Sequence, residues 1–106
     1  MIVHISGRLI QKNVNEAIIE SNGIGYLCLI SNNTFNQLPN IGDSVTILTF
    51  LHITENKHTL YGFHSESERD LFKLLISVSG IGPKIGIQLL SSTNTSNFQT
   101  MIINDD

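Results

Sequence analysis

Up to about Phe63 the apolar positions fall in short runs rich in β-branched residues. IVHISGRLI, EAIIES, GYLCLIS, SVTILTFLHI and TLYGF follow one another, divided by Asn, Gly and Asp. Such runs bounded by turn residues predict five strands. Five short strands with regular turn signals favour a small barrel over an open sheet. Gly7, inside the first run, predicts a bulge or sharp bend of the kind that barrel closure needs. NNTFNQL fits one helical turn, ended by Pro39 and Gly42.

From His64 the period changes. Ser65 and Glu68 have the spacing of a capping box, with serine at the N-cap and glutamate three residues on. Leu71, Leu74, Leu75 and Val78 then recur at helical spacing, widened by Phe72 and Ile76. Gly80 stops this helix and Pro83 suits the first turn of the next, where Ile85 and Leu89 lie four apart with Leu90 beside them. A third helix is expected from Asn94 or Thr95, burying Phe98, Met101 and Ile102. The expected organisation is a barrel over residues 1–63 and a helical unit over 64–106.

Composition supports a folded chain. Of 106 residues, 41% are apolar and 14% charged, which argues against disorder. No run approaches the ~20 apolar residues that span a bilayer, and the N-terminus lacks a signal-peptide layout. The one cysteine, Cys28, lies in an apolar strand and reads as a small buried thiol, which points to the cytoplasm. The net charge of −3 weighs against a general nucleic-acid binder, whose surface is usually basic. Charge is sorted locally, however, and Lys84 stands apart from the acidic cluster Glu66, Glu68 and Asp70.

The tripeptide Gly-Ile-Gly occurs twice. Gly23-Ile24-Gly25 follows Ser-Asn between two strand patterns and reads as a β-hairpin turn. The second copy, Gly80-Ile81-Gly82, lies between two helices. It fails as a dinucleotide fingerprint, which needs Gly-x-Gly-x-x-Gly after a strand, and it has no Gly-Lys-Ser/Thr. A tight turn there exposes backbone N–H groups at the start of a helix, where unsatisfied donors and the helix dipole attract phosphate. Ile81 can turn inward to lock the helices, and Ser79, Gly80, Ile81, Gly82 and Lys84 together are the candidate phosphate-binding residues. The competing reading is a bare turn with a solvated lysine.

Apolar-x-Gly-apolar-Gly-x-Lys followed by helix resembles the helix-hairpin-helix motif of DNA-binding proteins, with Gly86 where that motif usually has alanine. GRLI, GIGY, TFNQLP, GDSVTILTFLHITEN, LYGF and SERDLFKLLISVSGIGPKIGIQLLS also come in the order found in the RuvA family, over essentially the whole chain. That resemblance implies an oligonucleotide/oligosaccharide-binding (OB) barrel of five strands followed by an α-helical helix-hairpin-helix domain. It implies a non-enzymatic, cofactor-free homotetramer that recognises four-way (Holliday) DNA junctions in recombination and repair. RuvB, an ATPase motor, and RuvC, a resolving nuclease, are the implied partners. The family has a second hairpin and a C-terminal domain further on, so the resemblance also implies a truncated chain. In ITENKHTL the family usually carries two adjacent acidic residues that form a pin at the junction centre. Glu55 matches that pattern, whereas Asn56 departs from it.

Two other readings stay open: a general single-strand-binding OB module, and a structural fragment without DNA binding of its own. The first would need exposed aromatics, and Tyr26, Tyr61, Phe35, Phe50 and Phe63 all sit in apolar patterns that favour the core. His4, His52, His58 and His64 lack metal-ligand spacing. Arg8 is expected to face DNA or a partner subunit.

Overall fold

Asn22 and Gly23 both adopt positive φ, 53° and 82°, and join β2 (Glu16–Ser21) to β3 (Ile24–Leu29) through a two-residue turn. Positive φ at both central positions matches the right-handed twist of the flanking strands, so the Asn-Gly pair sets the register of this hairpin. The computed structural model describes residues 1–92. The expected third helix, with Phe98, Met101 and Ile102, lies outside the described residues.

β1 (His4–Lys12), β4 (Ser44–Ile53) and β5 (His58–Phe63) complete the sheet. It closes in the order β1-β2-β3-β5-β4, and a parallel pair of β3 with β5 (Cys28 opposite Leu60, Leu29 opposite Tyr61) makes the closure. This is a five-stranded barrel followed by helices, as the sequence pattern predicts, and it is of the OB type that the family resemblance implies.

β1 serves two neighbours. Its first half pairs with β4 and its second with β2, and Arg8 is opposite both Ser44 and Glu20. The ladder irregularity falls between Leu9 and Gln11 rather than at Gly7. Gly7 instead marks a close approach of backbones: a Cβ there would lie 2.1 Å from the carbonyl oxygen of Glu20. The close approach at Gly7 and the register irregularity are thus separate features a few residues apart.

α1 (Asn32–Gln37) links β3 to β4 and is capped by Ser31, whose side chain accepts from the Thr34 N–H. α2 (Glu66–Ile76) starts at Ser65, whose hydroxyl accepts from the Glu68 N–H at 3.2 Å. Only that half of the capping box forms. The Glu68 carboxylate is fully buried and accepts hydrogen bonds from the hydroxyls of Ser31 (2.8 Å) and Thr34. His64 Nδ1 stands 3.5 Å from the same carboxylate.

The interior has two clusters. Ile5, Leu9, Ala17, Ile19, Cys28, Ile30 and Ile47 fill the barrel. Tyr61, Phe63, Leu71, Phe72, Leu75 and Leu90 join β5 to α2 and α3 (Pro83–Ser92), with the Phe72 ring 5.0–5.5 Å from those of Phe50, Tyr61 and Phe63. The strand-to-helix change near residue 64 therefore coincides with shared packing. The inward face of α2 runs through Glu68, Leu71, Phe72 and Leu75, and that of α3 through Gly86 and Leu90. Leu74, Val78 and Ile85, expected on the apolar stripes, are about half exposed. Gly86 and Leu90 take the inward positions because α3 lies close to α2: a Cβ on Gly86 would already stand 3.2 Å from Phe72 and Ile76.

Candidate nucleic-acid interface

α2 ends at Ser77, whose N–H reaches the Lys73 and Leu74 carbonyls, and Val78 N–H donates to Leu75 O at 3.1 Å. Gly80 then turns the chain at φ +89°, a conformation that L side chains rarely adopt. Ile81 N–H closes the loop onto Val78 O at 3.1 Å, and its half-buried side chain packs against the cluster around Phe72. Gly82 O accepts from Gly86 N–H at 2.9 Å, which starts α3 with Pro83 in its first turn. Proline is well placed there, since an N–H at that position has no partner inside the helix.

The backbone N–H groups of Ser79, Gly80, Gly82, Lys84 and Ile85 consequently have no partner among the described residues. Ser79, Gly80, Gly82 and Lys84 are exposed, and Lys84 takes part in no ion pair among the described residues. A Cβ on Gly82 would meet nothing within 4 Å, so the space above the turn is open. Converging free donors at a helix start, an open approach and one unpaired ammonium group suit an anion. Among the sequence candidates, the structure brings Ser79, Gly80, Gly82 and Lys84 together on one exposed turn, with Ile81 as its inward anchor.

Glu55 and Asn56 lie elsewhere, at the tip of the β4–β5 hairpin. Thr54 N–H donates to Lys57 O at 2.9 Å, and Thr54 Oγ1 makes a second bond to the same carbonyl. Glu55, Asn56 and Lys57 are all exposed. The tip offers one carboxylate beside one lysine.

The first Gly-Ile-Gly has no such donor cluster. Gly23 belongs to the hairpin turn and Gly25 to the paired body of β3, opposite Glu20. Tyr61 and Phe63 are buried, while Tyr26, Phe35 and Phe50 are half-buried against the two clusters, so these rings form no stacking platform. Arg8 meets Glu20 at 3.9 Å in the open, a pair of small energetic consequence. Cys28 is fully buried, and burial pushes its thiol up to about 12, which leaves it unreactive. No group of three His, Cys, Asp or Glu able to hold a metal occurs among the described residues. No helix among them is long and apolar enough to cross a membrane.

A closed five-stranded barrel carrying a helical hairpin with an open, donor-lined turn defines the class. Residues 1–62 match the RuvA N-terminal domain family, and the chain belongs to that family. Among curated relatives it is 42% identical over 106 residues to a protein of Chloroherpeton thalassium, covering 100% of this chain and 53% of the relative. It is 44% identical over 106 residues to one of Christiangramia forsetii, covering 100% of this chain and 54% of the relative. A third, from Flavobacterium psychrophilum, is 50% identical over 92 residues, 87% of this chain and 47% of the relative. Each of the three is named "Holliday junction branch migration complex subunit RuvA". The chain spans about half the length of these relatives.

Proposed function

We propose that this chain is the junction-binding part of a branch-migration complex subunit. It recognises four-way DNA through backbone phosphates and does no chemistry of its own. The observation that carries this reading is the set of open N–H donors at Ser79, Gly80, Gly82, Lys84 and Ile85, beside the unpaired Lys84 ammonium. Phosphate contacts fix position and orientation without reading sequence, which suits a ligand defined by shape. The names of its relatives support the same role. In this reading residues 1–63 form the barrel unit and 64–106 the first helix-hairpin-helix unit. Four copies assemble around a four-fold axis, Glu55 and Asn56 line the junction centre, and a RuvB-type ATPase and a RuvC-type nuclease act alongside in the cytoplasm.

The test is fluorescence anisotropy with a synthetic four-way junction, duplex and single-stranded DNA at several salt concentrations. The junction should bind tightest. Lys84→Ala should lower the log–log salt slope by roughly 0.9 per lost phosphate contact, and equally on junctions of any sequence. Gly82→Asp places a carboxylate in the open approach and should abolish most binding. Unchanged slope and affinity in both variants would reduce the second Gly-Ile-Gly to a plain turn. Preference for single strands would favour the general OB-module reading instead.

A further inference from the structure

On one face of α3, Lys84, Ile87 and Gln88 look across at the barrel and enclose a cleft of about 310 Å³ with Asn15, Leu29 and Tyr61. That volume is at the small end for ligand sites and suits one compact group rather than a large molecule. Its polar lining has one property in common: ammonium, carboxamide, carboxamide and phenol all donate hydrogen bonds, and no carboxylate is among the lining residues. None of these four side chains has a polar partner among the described residues.

Tyr61 makes the most specific observation. The residue is 6% exposed, with its ring centroid 5.2 Å from that of Phe72. Its hydroxyl has no hydrogen bond among the described residues and is not fully enclosed, since Arg69 Nε is the one enclosed side-chain atom without a partner among them, so the Tyr61 oxygen reaches solvent. The oxygen therefore opens on the cleft that the residue lines. Burial raises the phenol above its ordinary value, so at neutral pH it keeps its proton and donates.

The geometry points to a second DNA-backbone subsite in this cleft: Tyr61, Asn15, Gln88 and Lys84 hold the phosphate next along the strand from the one at the hairpin turn. Leu29 and Ile87 offer an apolar wall for the intervening deoxyribose. The inference rests on the phosphate-binding reading of the hairpin and extends it, because the barrel then contacts the same strand as α3. Lys84, at the helix start and on the rim of the cleft, lies between the two phosphates.

Tyr61→Phe removes one oxygen and keeps the packing, and Gln88→Glu puts a carboxylate on an exposed rim position. Both variants, with Lys84→Ala alongside, are measured for thermal stability and for anisotropy with a fixed-sequence four-way junction. The expected result is unchanged melting, with Tyr61→Phe binding roughly fivefold and Gln88→Glu roughly tenfold more weakly, the range for one lost or repelled charge-assisted contact. Wild-type affinity in both, with Lys84→Ala still weakened, overturns the cleft subsite and leaves the hairpin reading standing. Wild-type affinity in all three overturns both.

Discussion

Ser31 and Glu68, 37 positions apart, meet through a 2.8 Å hydrogen bond in which the N-cap hydroxyl of α1 donates to the carboxylate of α2. Thr34 donates to the other carboxylate oxygen, and its own hydroxyl accepts from the His64 N–H at 3.2 Å. One fully buried carboxylate thus ties the barrel's connecting helix to the helix that leads into the hairpin. A buried charge is tolerated only when hydrogen-bonded, and each such bond counts for more than a neutral one. The energetic weight of this small network lies at the joint between barrel and hairpin.

Glu68→Ala should therefore cost about 3 kcal/mol, since it leaves two buried hydroxyls without their acceptor. Glu68→Gln keeps the volume and one acceptor oxygen and should cost about half as much. Urea denaturation measures both. Hydrogen exchange should show the first turn of α2 losing protection before the barrel strands. Equal stability of Glu68→Ala and wild type would contradict the role of the network.

Three glycines should respond differently to alanine, each for a stated steric reason. At Gly7 the new methyl would meet backbone oxygen at 2.1 Å, which no side-chain rearrangement relieves. A loss of about 3 kcal/mol or failure to fold is expected. At Gly80 space is free, but φ is +89°, so a cost of about 1 kcal/mol follows from the left-handed backbone alone. At Gly82 neither constraint applies, and Gly82→Ala should melt within about 0.5 kcal/mol of wild type. Any fall in junction affinity of Gly82→Ala then reports on the ligand's approach and not on the fold.

Much of this architecture was legible because it obeys local rules. Strand runs, the Asn22-Gly23 turn, the Ser65 cap and the Gly80–Pro83 hairpin each depend on residues a few positions apart. The choice of packing face does not. Leu74 and Ile85 fit a helical stripe as well as Phe72 and Leu90 do, and only the close approach of α3 to α2 at Gly86 decides which face turns inward. Glu68 has the spacing of a capping partner, yet its acceptors are engaged by residues 34 and 37 positions away. For the same reason Tyr61 reads as plain core: the cleft it lines exists only once α3 lies across from β5. Hairpin glycines could be found from sequence, whereas the cleft beside them depends on tertiary packing.

Cys28 gives a pH-dependent prediction. Its thiol is raised from 9.0 to about 12 by burial, so the folded protein holds that proton more tightly than the unfolded chain. The associated stability is fully present below pH 9 and is lost as pH rises from there toward 12. Cys28→Ala should have a flatter stability profile over that window, although it is less stable at neutral pH from the lost packing. A thiol reagent at pH 8 should label wild type slowly when native and rapidly in urea. Fast labelling of the native protein would contradict the burial.

The last prediction concerns the exposed tip at Glu55 and Asn56. Neither side chain is buried, so substitutions there should leave melting unchanged and report on the ligand alone. If the tips of four copies gather at the junction centre, their carboxylates repel the phosphates that converge there. Glu55→Lys reverses the sign at four points, and it should tighten junction binding while slowing strand separation. Asn56→Asp adds a second carboxylate per copy and should act in the opposite direction, with weaker binding. Both shifts should shrink as salt rises, because exposed charges are screened over roughly 10 Å at 0.1 M. Affinity is read by anisotropy at two salt concentrations, and strand separation by fluorescence of 2-aminopurine placed at the crossover. Identical affinities for Glu55→Lys, Asn56→Asp and wild type at low salt would remove the tip from the interface, whatever the hairpin turn binds.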